Sequence, residues 1–346
     1  MRTTSLWANS MTSTTNRQVL LKRRPTGRPV ADDFEIVSTP MPTVKDGDVL
    51  RRTIFLSLDP YMRGRMNDGP SYAPPAALGQ VMVGQTVSEV IESRNPAFTK
   101  GDVVVVYDGW QQYGCSNGQG LRKIDPSLAP ISYSLGVLGM PGLTAYVGLL
   151  DLGQPKAGET AVVSAASGAV GSVVGQIAKI KGCRAVGVAG GHEKCDYVVR
   201  ELGLDACVDH RRSDFAEALA AACPNGIDVY FDNVGGGVLK AVLGLINQNA
   251  RIPLCGTIAD YNAPELPPGP NLRPLLVKRA MIKGFIVSDH ADRFPAFLAD
   301  CAGWLKQGTI KYREDIVDGL ENAPAALLKL FDGRNFGKLL IRVSHL

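Results

Sequence analysis

The sequence is poor in what metal, membrane and nucleic-acid proteins usually need. Only 4 of its 346 residues are His. Its 7 Cys, at 115, 183, 195, 207, 223, 255 and 301, include no Cys-x-x-Cys pair. Cys183, Cys195 and Cys207 recur at an even spacing that matches no zinc-ligand pattern. An odd number of thiols without paired spacing reads as reduced cysteines in a cytoplasmic protein. No apolar run approaches the roughly 20 residues of a membrane span, so no membrane role is expected. Lys plus Arg is 37 against 33 for Asp plus Glu, a net charge of +4. So small an excess, scattered apart from Lys22-Arg23-Arg24, argues against nucleic acid as a partner. Residues 1–15 contain no acid and no apolar stretch of the secretory kind. They read as a disordered tail or an extended start with Met11 as an alternative initiator, although their Ser- and Thr-rich composition is also that of a transit peptide.

What is present is ordinary soluble composition, 45% hydrophobic and 20% charged, on a chain long enough for two cores. Residues 16–138 show short β-like runs such as Asp48–Ile54 and Asp102–Tyr107, set off by turns at Lys45-Asp46-Gly47 and Lys100-Gly101. This predicts a β-rich lobe. From Gly139 to residue 308 the period changes. Strand-length apolar runs at Thr160–Ser164, Arg184–Ala189, Ile227–Phe231, Arg251–Cys255 and Ile282–Val287 alternate with helical stretches at 169–181, 193–203, 212–223, 236–247 and 291–307. Such alternation predicts an α/β, doubly wound parallel sheet of Rossmann type. Residues 309–346 return to short runs, and Gly337–Val343 reads as a strand rejoining the first lobe. Pro264–Pro274 is a Pro-rich loop.

The strand Thr160–Ser164 runs directly into Ala165-Ala166-Ser167-Gly168-Ala169-Val170-Gly171 and then a helix. A Gly-rich pattern alone is weak, but the strand–turn–helix context is the one that dinucleotide binding requires. Small residues there admit a pyrophosphate to the backbone, and the helix start favours anions. NAD-binding units place an acid after the second strand to take the ribose hydroxyls. Here that position is Gly190, followed by Gly191-His192-Glu193-Lys194. A missing carboxylate with Lys194 nearby predicts NADPH as cofactor. Glu193 is the rival for the ribose, and His192 reads equally as a phosphate neighbour or a solvated loop residue.

Several motifs together resemble one family: Leu58-Asp59-Pro60-Tyr61-Met62-Arg63, Gly139–Tyr146, Gly168–Ser172, Phe231-Asp232-Asn233-Val234-Gly235-Gly236, Cys255–Asn262 and Asn335-Phe336-Gly337-Lys338. From Gln18 to Val343 the chain looks like a zinc-free medium-chain dehydrogenase/reductase of the leukotriene 12-hydroxydehydrogenase/prostaglandin reductase group. Within that group it is most similar to the bacterial NADPH-dependent curcumin reductases. The resemblance implies a GroES-like catalytic lobe beside the Rossmann domain, no metal, and a homodimer. Zinc members carry G-H-E-x-x-G, whereas this chain reads Gly79-Gln80-Val81-Met82-Val83-Gly84.

By the same resemblance, Gly168, Ala169, Val170 and Gly171 hold the pyrophosphate and Lys194 the 2′-phosphate. His210 stands where the family usually has Tyr. Asn233 lies beside the nicotinamide ribose. Cys255, Gly256, Thr257 and Tyr261, with Phe285, Ile286 and Val287, line the nicotinamide, and Asn335 closes the site. The reaction implied is hydride delivery to the β-carbon of an α,β-unsaturated ketone or aldehyde. Tyr261 and Tyr61 are the expected catalytic hydroxyls, since a phenol can steady a developing oxyanion without ionising. Tyr61, Met62, Tyr72 and Tyr113, with the Pro-rich loop, are expected to form an apolar, aromatic substrate pocket. The alternatives are a quinone oxidoreductase on the same scaffold and a non-catalytic NADPH-binding sensor.

Overall fold

A computed structural model describes residues 14–346. The expected tail over 1–15 lies outside them, apart from Thr14, whose carbonyl accepts the Met41 N–H, and Thr15, which begins the first strand. Strands β1 (Thr15–Leu21) and β2 (Phe34–Pro40) form an antiparallel pair. The β-rich lobe continues with β3 (Val49–Ser57), β4 (Thr86–Ser93), β5 (Val103–Val106), β6 (Tyr113–Ser116) and β7 (Arg122–Lys123). A short helix α1 (Tyr61–Arg65) follows β3. The turn before β3 needs Gly47, whose φ of +83° lies in the left-handed region. Within this lobe Trp110 is fully buried and stacks on Phe34 with ring centroids 5.4 Å apart.

The second sheet holds β8 (Thr160–Ser164), β9 (Arg184–Ala189), β10 (Ala206–Asp209), β11 (Ile227–Phe231), β12 (Ile246–Leu254) and β13 (Met281–Gly284). Its six strands lie in the order β10-β9-β8-β11-β12-β13, and every pairing is parallel. β8 is buried at all five positions, which explains its unbroken apolar run. The crossovers are α3 (Gly171–Ile180), α4 (His192–Arg200), α5 (Phe215–Ala222) and α6 (Gly236–Leu243). Strand order reverses between β8 and β11, so the crevice outside their carboxyl ends is the place for a ligand. A further helix, α2 (Met140–Val147), precedes this sheet; α7 (Arg273–Lys278) and α8 (Phe294–Lys306) come later.

Three expected strands, 160–164, 184–189 and 227–231, match the observed bounds. The run at 251–255 overlaps the end of the longer β12, which stops at Leu254, and the run at 282–287 leaves the sheet after Gly284. β10 escaped the sequence pattern because Ala-Cys-Val-Asp is too short and too mixed to show a period.

The chain ends with β14 (Glu314–Asp318), α9 (Ala323–Phe331) and β15 (Lys338–Arg342). β15 pairs antiparallel with β3, Leu340 opposite Ser57, so the C-terminus does return to the first sheet. An isolated bridge between Gly168 and Gly337 ties this returning segment to the turn after β8.

Candidate active site and cofactor cleft

One cleft of about 940 Å³ runs from the carboxyl ends of the parallel strands to the β3–α1 corner. Its floor is the turn after β8. Ala165 sits at φ 52°, a left-handed conformation that costs a non-glycine residue about 1–3 kcal/mol. Its carbonyl accepts the Gly168 N–H at 2.9 Å, which closes the turn. A Cβ on Gly171 would lie 2.3 Å from that same carbonyl oxygen, so α3 can start this close to β8 only with glycine here. Gly168, Ala169, Val170 and Gly171 all line the cleft beneath the start of α3. Small residues and a helix start are what a pyrophosphate needs, so the turn fits a dinucleotide.

At the far end, Gly190, Lys194, His210 and Arg211 form a basic corner. The Lys194 ammonium donates to the Gly333 carbonyl at 2.7 Å. Burial lowers the Lys194 and His210 pKa values, and the Arg211 charge lowers both further. Asp209 directly precedes His210, and its Oδ1 accepts the backbone N–H groups of Gly191 (2.9 Å) and Arg211 (3.0 Å). His192 pairs with Asp196 at 3.2 Å and is largely exposed, the solvated alternative of its two readings. Neither it nor Glu193 lines the cleft.

Behind the middle of the cleft wall, the buried Asp232 organises the end of β11. Its Oδ1 accepts from the Tyr230 hydroxyl (2.7 Å) and from the N–H groups of Val234 and Gly235 (2.9 Å each). Asn233 Nδ2 donates to the Ser164 carbonyl at 2.8 Å, which fixes the Asn233 side chain on the cleft wall. Cys255, Gly256, Phe285, Ile286 and Val287 line the same region. Burial pushes the Cys255 thiol up to about 12, so it stays protonated and acts as a small wall residue rather than a nucleophile. Asn335 lines the cleft from the returning segment, and its Nδ2 donates to the Gly337 carbonyl at 2.9 Å. Thr257 does not reach the lining; it packs against Gly235 behind the wall.

Four tyrosines, Tyr61, Tyr72, Tyr107 and Tyr261, face the remaining space with Met140 and Arg65. The Tyr61 hydroxyl is buried and has no hydrogen-bond partner. Burial and then the Asp59 charge raise its pKa well above the ordinary phenol value. Burial also raises Tyr261, partly offset by a hydrogen bond from the Thr257 backbone. Both phenols therefore hold their protons at neutral pH.

Two expected pocket residues lie elsewhere. Met62 is fully buried in the core with Met66, because helical spacing turns those two inward while Tyr61 faces the cleft. Tyr113 sits on β6 opposite Arg52, where its N–H donates to Asn16, and it does not line the cleft. The Pro-rich stretch 264–274 is likewise absent from the wall, its last residues starting α7.

Other lining residues were not foreseen. Tyr107 directly follows β5, and an aromatic at the end of an apolar strand was the available signal. Lys338 and Asp59 form a buried ion pair at 2.6 Å, and the Lys338 ammonium also donates to the Leu58 carbonyl at 3.0 Å. Nearly 280 residues separate the two charges, so no local pattern announces the pair.

Comparison with known proteins adds to this geometry. A family profile described as the N-terminal domain of oxidoreductase matches residues 17–124, and one described as zinc-binding dehydrogenase matches 169–302. The chain is 55% identical over 335 residues to the NADPH-dependent curcumin reductase of Escherichia coli strain K12, covering 95% of this chain and 97% of that protein. It is 43% identical over 337 residues to the NADP(+)-dependent 2-alkenal reductase of Nicotiana tabacum, covering 95% and 98%. The crystal structure of CurA from Vibrio vulnificus in complex with NADPH is similar with a TM-score of 0.91 and 52% identity, over 95% of this chain and 100% of that one.

Proposed function

The chain belongs to the medium-chain dehydrogenase/reductase family, and from that premise we propose its reaction. It is an NADPH-dependent reductase of the carbon–carbon double bond in α,β-unsaturated ketones and aldehydes. The observation that carries this reading is a single cleft that joins the Gly168–Gly171 turn to a wall of four tyrosines. NADPH, when bound, supplies the hydride that the β-carbon accepts.

The chain's own residues do the rest. Gly168 to Gly171 bind the pyrophosphate, and Asn233 and Asn335 flank the ribose and nicotinamide. Lys194 meets the 2′-phosphate. Addition at the β-carbon drives negative charge onto the carbonyl oxygen. The neutral hydroxyl of Tyr261 donates to that oxygen, and the buried, partnerless hydroxyl of Tyr61 is a second donor. Tyr72 and Tyr107 stack on an extended apolar substrate. No step needs a metal, since Gln80 and Val81 occupy the positions of the zinc motif's His and Glu.

The protein works as a homodimer in the cytoplasm. β13 ends the six-stranded sheet, and Leu272, Leu276, Val277 and Met281 around it are exposed. An open strand edge beside apolar side chains suits self-complementary pairing with a second copy. No helix among the described residues is long and apolar enough to cross a membrane.

The test is a substrate panel followed at the cofactor's absorbance. Steady NADPH oxidation by 2-nonenal and by a dienone, slower with a small quinone, supports the reading. Turnover confined to the quinone, or none with any acceptor, rejects it.

A further inference from the structure

The basic corner contains a residue that the motif reading passed over. A Cβ placed on Gly190 would lie 3.1 Å from Arg211 Nε and 3.2 Å from Nη2. One on Gly191 would lie 3.6 Å from Arg211 Nη1, and one on Gly333 would lie 3.8 Å from Nη2. The guanidinium is therefore folded over the Gly190-Gly191 turn and reaches Gly333, whose carbonyl holds the Lys194 ammonium. Two cations converge on one spot of the cleft.

Neither cation is in an ion pair, although Asp315 and Glu193 act on Lys194, and Asp209 on Arg211, at longer range. Arg212 pairs with Asp214 at 2.6 Å and Arg334 with Asp332 at 2.7 Å, whereas no ion pair among the described residues joins Arg211 or Lys194 to a carboxylate. Asp209 has given its Oδ1 to backbone N–H groups. Arg211 and Lys194 repel each other across this corner, and a bound dianion relieves that repulsion. A planar guanidinium can also meet a phosphate with two parallel N–H bonds, which an imidazole cannot.

We propose that Arg211 is the residue that selects NADPH over NADH, its guanidinium taking the 2′-phosphate together with Lys194 in place of the ring at position 210. His210 becomes a neighbour that shapes the corner. Its Nε2 lies 2.9 Å from the Gly190 Cβ position, so any side chain at 190 would displace it. This inference rests on NADPH being the cofactor and says nothing of the acceptor.

The experiment is calorimetric binding of 2′,5′-ADP and of 5′-AMP to the full chain, with no turnover involved. Arg211→Gln should weaken 2′,5′-ADP by roughly 10- to 100-fold, the effect of losing a charge-assisted bidentate contact. Binding of 5′-AMP should change less than twofold. Arg211→Lys should fall between wild type and Arg211→Gln, and His210→Phe should cost less than Arg211→Gln. Unchanged 2′,5′-ADP binding in Arg211→Gln, an equal loss for both nucleotides, or a larger loss in His210→Phe would overturn the assignment. If wild type prefers 2′,5′-ADP, and Arg211→Gln loses that preference, while no enone is reduced, the Arg211 assignment stands and the proposed reaction falls.

Discussion

Replacing Lys338 by Met removes a buried ammonium but keeps most of its volume. In the folded protein that ammonium lies 2.6 Å from Asp59 Oδ1, and Lys338 and Asp59 are only 1% and 5% exposed. After the substitution the Asp59 carboxylate keeps just the Ser57 hydroxyl as a side-chain donor. Leaving one charge of a buried pair unpaired costs about 3–5 kcal/mol, a large share of the ~5–15 kcal/mol that typically holds a domain together. Asp59→Asn combined with Lys338→Met removes both charges and should recover most of the stability, because neutral groups tolerate burial better. Urea unfolding followed by Trp fluorescence reports on the β-rich lobe through its buried Trp110, alongside Trp304 of α8. A loss below ~1 kcal/mol in the single variant, or no recovery in the double variant, would refute the reasoning.

The same lobe carries a half-buried carboxyl whose contribution to stability depends on pH. Burial raises the Glu314 pKa, and its Oε1 has no partner. A folded pKa above the unfolded one means its contribution is complete below the unfolded value of about 4.3 and is lost as pH rises through the folded value. Glu314→Gln should thus melt at a higher temperature than wild type, by a margin that grows from pH 5 to pH 8; a constant margin would contradict this. Tyr261→Phe should cut enone turnover by roughly 100- to 1000-fold, the range for losing one oxyanion donor, while NADPH binding measured by fluorescence changes little. Unchanged turnover would remove Tyr261 from the chemistry. Leu276→Glu with Met281→Glu should shift the protein from dimer to monomer in analytical ultracentrifugation, and an unaltered dimer would place the interface elsewhere.

The sequence and the structure agree where local physics decides. An all-buried parallel strand must be an apolar run, and Thr160–Ser164 is one; Gly171 must be glycine because a carbonyl stands 2.3 Å from its Cβ position. These two features made the dinucleotide turn legible. Residues set by long-range geometry were not legible. Met62 and Tyr61 are neighbours in one motif, yet the helix sends one to the core and one to the cleft. Tyr113 was expected in the pocket because it is aromatic, but its strand pairs with β3 away from the cleft. Lys338 finds Asp59 only because β15 returns to β3. Arg211 hid beside His210, where the family motif directs attention to a ring.

Isotope transfer tests the central claim most directly. NADPH deuterated at C4 of the nicotinamide, on the transferred face, would be incubated with the protein and an α,β-unsaturated ketone, and the product read by NMR. The account predicts a saturated ketone with deuterium on the β-carbon and a solvent proton on the α-carbon. Deuterium on the carbinol carbon of an allylic alcohol, with the double bond intact, would contradict it.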